Sequence, residues 1–137
     1  MHVLKKLHQW LRPDGLLLDL HPEPEHFKVN VHLADSRVIQ LGQLDITSLI
    51  SNIRAARASL GSLVEAGWFR SDRSLLFDSV SFFSSVDQWL RHREDRRSTS
   101  VLAPDIVARA RELLAAGGGE VRVTERIQAT RLARVER

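Results

Sequence analysis

Hydrophobic residues recur along this chain with two different periods, and each change of period marks a new element. Val3, Leu4, Leu7, Trp10 and Leu11 fall at helical spacing, which predicts a short first helix with one apolar face. Pro13-Asp14-Gly15 stops it, because proline cannot continue the hydrogen-bond ladder and glycine permits the turn. Residues 15–21 are then almost continuously apolar. That pattern predicts a strand buried on both faces, of the kind found in parallel sheets. Pro22 and Pro24 close it.

From Phe27 the period becomes two. Phe27, Val29, Val31 and Leu33 alternate with Lys28, Asn30 and His32, as in a half-exposed strand. Ala34-Asp35-Ser36 reads as a turn and residues 37–41 as the returning strand of a hairpin. Asp45 is placed to cap a helix whose buried stripe is Ile46, Leu49, Ile50, Ile53, Leu60, Leu63 and Val64, with Gly67 at its left-handed end. Residues 74–84 read as a strand, and Ser85 with Gln88 forms a capping box for a helix carrying Val86, Trp89 and Leu90 inward. Residues 91–100 are polar enough to predict a solvated loop. Pro104 suits the first turn of another helix, with Ile106, Val107, Ala110, Leu113 and Leu114 on its apolar side. Last, Val121, Val123, Ile127, Ala129, Ala133 and Val135 alternate with Arg122, Thr124, Arg126, Gln128 and Arg134, a long strand with one buried face.

Helix, strand, hairpin, helix, strand, two helices, strand is the order of an α/β fold, with segregated α+β as the alternative. It predicts a mixed sheet of about five strands covered by helices. A chain of 137 residues is the size of one domain, expected to span residues 1–137. The absence of cysteine excludes disulfides, thiolate metal sites and cysteine nucleophiles, and fits a cytoplasmic protein. No apolar run approaches membrane-spanning length, and the amphipathic first residues lack a signal-peptide core, so no membrane partner is expected. The net charge is only +3 although the pI is near 10.2, so nucleic acid is not an expected partner.

The densest polar constellation is Asp19, His21, Glu23, Glu25 and His26. Asp19 and His21 share one face of a strand, which allows a base or a metal pair, but spacing supplies no third ligand. A polar strand end followed by a solvated turn is the plainer reading. Asp19, His21, Glu23 and His26 are carried forward as pocket-facing candidates, with no catalytic or metal-binding residue assigned. Gly117-Gly118-Gly119 follows a helix and precedes a strand, the reverse of a phosphate-binding loop, and reads as a helix cap and turn. His8 and His32 are expected at the surface or its boundary, and Trp10, Trp68 and Trp89 near the core. Arg91, His92, Arg93, Arg96 and Arg97 form one basic cluster, and Arg126, Arg131, Arg134 and Arg137 another. Neither is joined to an aromatic platform or recognition helix, and both are expected to be solvated.

Leu4 to Pro22, LKKLHQWLRPDGLLLDLHP, resembles the helix-turn-strand in the C-terminal half of class I S-adenosylmethionine-dependent methyltransferases. Leu11-Arg12-Pro13-Asp14-Gly15 matches that family's turn, with Asp14 in place of one glycine. The resemblance implies a fifth strand at residues 16–20, then a helix, a sixth strand and a long antiparallel seventh strand at residues 46–66, 74–84 and 120–135. The hairpin at residues 27–41 and the paired helices before residue 120 become insertions. No position here matches the family's glycine-rich loop or its acidic cofactor residue, so no cofactor-binding residue is carried over. A truncated Rossmann-like half-domain without its own cofactor site is the expected result.

Three functions follow from these readings. The first is a non-catalytic methyltransferase-like domain acting through a homodimer or a cofactor-binding partner chain. The second is a methyltransferase whose S-adenosylmethionine site is completed by another chain or by upstream sequence; the isolated chain is expected to bind no cofactor. The third is a small basic module for an acidic ligand or nucleic acid. The strand at residues 16–20 is the pivot, because an unpaired apolar edge must be covered by the hairpin or by a second chain.

Overall fold

The computed structural model describes residues 2–136 and has an α/β fold of four helices and five strands. In chain order these are α1 (His2–Trp10), β1 (Leu16–Pro22), β2 (Phe27–Leu33), β3 (Val38–Leu44), α2 (Thr47–Glu65), β4 (Phe69–Phe83), α3 (Val86–Asp95), α4 (Pro104–Gly117) and β5 (Gly119–Arg134). The strand order is β1-β5-β2-β3, and β4 also pairs with β5. β1 with β5, β2 with β3, and β2 with β5 all run antiparallel. No helix among the described residues is long and apolar enough to cross a membrane. Contacts divide the chain into two compact units, residues 2–23, 51–77 and 127–136 in the first and 24–50 and 78–126 in the second.

In the first unit β1 pairs along β5 from Leu16 opposite Ala133 to Pro22 opposite Ile127. Burial along β1 alternates instead of running through it. Leu16, Leu18 and Leu20 are 54%, 60% and 56% exposed, so the expectation of a parallel strand buried on both faces is corrected. β1 ends the strand order, and only its face bearing Leu17 meets the core, where Leu63, Phe69 and Leu132 are joined by Leu4, Leu11, Leu60, Val64 and Trp68. α1 adds His8, which is buried and not at the surface. Its Nε2–H donates to the Val135 carbonyl at 2.9 Å, and its ring stands edge-on to Trp68 and Phe69. Leu4, His8 and Leu11 make the inward stripe of α1, which leaves Trp10 on the other side, exposed where core packing was expected. α2 ends at Gly67, whose φ of 72° permits the bonds from Gly67 N–H to Val64 and from Trp68 N–H to Leu63. β4 begins well before residue 74, at Phe69, through polar residues that hydrophobicity does not mark. There Asp72 accepts two hydrogen bonds from Arg131 of β5, at 2.8 and 2.9 Å, which hold its carboxyl below the usual range.

In the second unit β2 and β3 form the expected hairpin, with a register shift between Val29 and Asn30. The opposite edge of β2 pairs with residues 119–124 of β5. Val29, Val31, Val121 and Val123 make the inward row, all at 5% exposure or less. α4 packs on β2 and β3, bringing Ile106 and Ala110 into the buried set, and α3 packs on α4. Trp89 is 1% exposed and stacks on Phe83, a burial worth roughly 1.5–3 kcal/mol or more for a side chain of that size. Ser85 caps α3 by accepting from the Gln88 N–H, as its sequence spacing predicts.

Residues 91–95 belong to α3, which corrects the expected loop. Arg and Glu are good helix formers, so polarity there marks a helix face near solvent and not an irregular segment. Gly118 closes α4 with a φ of 65° and an N–H bond to Leu114, while Gly119 passes so close to β2 that a Cβ would sit 2.2 Å from the His32 carbonyl oxygen. Gly118→Ala meets open space and is expected to cost about 1 kcal/mol through its left-handed backbone alone. Gly119→Ala adds a backbone clash and is expected to cost at least ~3 kcal/mol in urea unfolding. Equal losses for the two variants would refute this packing.

Candidate functional site

The period-two pleat of β1 points Asp19 and His21 to the same face, as expected, and the first unit joins them. His21 Nδ1–H donates to Asp19 Oδ2 at 2.6 Å, and His21 Nε2 accepts from Arg57 Nε–H at 2.8 Å. These two bonds select the neutral tautomer with its proton on Nδ1. Arg57 of α2 also donates to the Glu23 carboxylate and, at 2.6 Å, to Gln128 Oε1 on β5. Gln128 passes the chain on by donating to Ser74 Oγ at 3.2 Å. Asp19, His21 and Arg57 border a cavity of about 440 Å³ whose apolar side is Leu60, Val64 and Leu132.

Arg57 is the residue that sequence reasoning missed. It lies 34 positions from Glu23 in the chain, on an ordinary polar helix face, and nothing in local spacing marks it. It also takes up the second ring nitrogen of His21. With both ring nitrogens engaged, His21 offers no lone pair to a metal or a substrate proton. No group of three His, Cys, Asp or Glu able to hold a metal ion occurs among the described residues. The network braces β1, α2 and β5.

His26 belongs to the second unit. Its Nδ1 accepts from the Ile46 N–H at 3.1 Å and lies 3.7 Å from Asp45. Asp45 caps the start of α2 as expected, and bonds from the Thr47 hydroxyl and N–H hold its carboxyl below the usual range. Glu25 is exposed.

A second cavity, of about 650 Å³, lies wholly within the second unit. Its apolar lining includes Phe27, Leu44, Leu49, Phe83 and Val123, and its charged and polar lining includes Glu125, His92, Arg93, Arg96 and Arg97. His92, Arg93, Arg96 and Arg97 of the first basic cluster line this concavity, and all of the cluster but Arg93 is solvent-exposed, as expected. Arg93 donates to Ser100 Oγ at 2.8 Å and to the Ser100 carbonyl at 2.5 Å, pinning the chain beyond α3. Of the second basic cluster, Arg131 pairs with Asp72, Arg134 donates to the Leu11 carbonyl, Arg126 is exposed, and Arg137 lies outside the described residues.

Glu125 continues the inward row of Val121 and Val123 on β5. Burial raises its pKa, and no neighbouring charge offsets that. The signal was present in the sequence, as a carboxylate at a position where alternation demands an apolar side chain. Compared with known families, curated proteins and solved structures, the chain matches none.

Arg57→Ala removes the shared donor of His21, Glu23 and Gln128, and is expected to cost about 1.5–3 kcal/mol in denaturant unfolding. Nitrogen NMR of the wild-type chain should show the Nδ1-protonated His21 tautomer; an Nε2-protonated ring would refute the network. For Glu125 the sign is opposite to that of a salt-bridged acid. Its folded pKa lies above the unfolded value, so folding loses stability as pH rises through that interval and stays level above it. Glu125→Gln should therefore raise the melting temperature near pH 7, by about 2–4 °C, and the gain should disappear near pH 4. A gain that persisted in acid would contradict burial as its cause.

Proposed function

We propose that the chain is a methyltransferase-like half-domain that acts by association, pairing with a second copy along β1. The helix-turn-strand at residues 4–22 and the antiparallel course of β5 against β1 support the resemblance behind this reading. The observation that carries it is the open edge of β1, which pairs with β5 alone among the described residues. β1 ends the strand order, with one edge unpaired among the described residues beside three exposed leucines. Such an edge is a template for another strand, and monomeric proteins blunt it with charge, proline or a covering element.

The sequence of β1 favours a copy of itself. In an antiparallel pair centred on Leu18, Leu18 faces Leu18 and Leu16 faces Leu20, while Asp19 stands opposite Leu17. No like charges meet, and the outward leucines of both copies become one stripe. The cysteine-free composition supports a cytoplasmic setting. In this reading the chain alone does not bind S-adenosylmethionine.

Sedimentation velocity at micromolar concentration is expected to give a dimer, and Leu18→Lys a folded monomer. Leu76→Lys, on the exposed part of β4, is expected to leave the dimer intact. A monomeric wild-type chain would overturn the proposal, as would dissociation by the β4 variant alone. Calorimetric titration with S-adenosylmethionine is expected to show no binding, and micromolar affinity would reverse the assignment.

A further inference from the structure

The cavity of the second unit holds separated charges of opposite sign. At its basic side, α3 ends in a double hydrogen-bonded turn, Arg97 N–H to Glu94 and Ser98 N–H to Arg93, with Arg97 at a φ of 48°. Glycine occupies this left-handed position without penalty, whereas a side chain there is strained. Strained positions of this kind are enriched at ligand sites. Arg97 lines the cavity beside Arg96, and neither forms an ion pair among the described residues. Arg93, by contrast, is spent on Ser100 and holds that wall in place.

Glu125 lines the same cavity, half-buried, without a hydrogen-bond partner among the described residues and in no ion pair with these arginines. Phe27, Leu44 and Phe83 are among the apolar residues that line the same space. At about 650 Å³ the cavity falls within the roughly 300–1,000 Å³ of small-molecule sites.

Each kind of charge constrains the ligand. Two free guanidiniums offer more donors than a single carboxylate can use, and they match the several oxygens of a phosphate. A carboxylate is acceptor-only, so Glu125 calls for hydrogen-bond donors, and two parallel N–H groups satisfy both of its oxygens. The apolar side chains that line the same cavity suit a flat ring. We propose that this cavity binds a small bipolar ligand, with a phosphate at Arg96 and Arg97 and a ring whose N–H groups donate to Glu125, the layout of a guanine-type nucleoside monophosphate. The site is independent of pairing along β1 and stands or falls separately from it.

Guanosine monophosphate is the probe, with adenosine monophosphate lacking the paired N–H edge and guanosine lacking the phosphate. Calorimetry on the full chain is expected to show binding of the first, with each of the others weaker by about tenfold, one lost hydrogen-bonded group apiece. Amide NMR should place the shifts at Ser81, Trp89, Ser100 and Val123. Arg97→Gly should raise the melting temperature by relieving the turn, yet weaken guanosine monophosphate by about tenfold. That combination excludes a merely structural role for the arginine. Glu125→Gln should abolish the preference for guanine over adenine. No binding, equal binding of all three probes, shifts confined to other residues, or unchanged affinity in Arg97→Gly would each overturn the site.

Discussion

Backbone pairing of β5 is the constraint on which the other elements depend. Its residues 119–124 serve β2 and its residues 127–133 serve β1, while β4 pairs with it as well. A buried strand must satisfy its N–H and C=O groups along its length, so every strand that joins β5 must match its register. Gly119 is the place where this demand is most severe, because the start of β5 touches the backbone of β2. The inward residues of β5 follow from the same pairing. In the second unit they are Val121, Val123 and Glu125, and in the first Leu132 reaches the core with Leu63 and Phe69.

The polar groups divide into those the fold consumes and those it leaves over. Asp19, His21, Glu23, Arg57 and Gln128 satisfy one another, and that network engages both ring nitrogens of His21. Asp72 and Arg131 do the same for the polar beginning of β4. Glu125, Arg96 and Arg97 are different. Burial acts on the first without a compensating charge, and the arginines at the end of α3 have no carboxylate. Desolvation penalises the half-buried Glu125, whereas Arg96 and Arg97 are exposed and solvated. What sets the three apart is that they line one cavity without pairing with one another.

The apolar residues divide in the same way. Val29, Val31, Trp89 and Leu63 are buried, as their periodicity required. Leu16, Leu18 and Leu20 are as hydrophobic and stay exposed, because β1 has a neighbour on one edge and helices on one face. Composition cannot distinguish these two situations. A leucine in a strand reports only that some face is apolar, and which face is covered is a property of the neighbours.

By itself the sequence determined the order and type of the elements, the hairpin turn, the caps at Asp45, Ser85 and Gly118, and the placing of Asp19 and His21 on one face. All of these are set by interactions within a few residues, where spacing and rotamer geometry suffice. It did not determine the strand directions, the one-sided burial of β1, the inward turn of His8, or the continuation of α3 through Arg91–Asp95. Nor did it mark Arg57, whose partners are 34, 36 and 71 residues away. Those were decided by tertiary structure, because pairing register and solvent access depend on residues distant in the chain. Glu125 falls between the two, legible as a break in alternation but interpretable only once a cavity surrounds it.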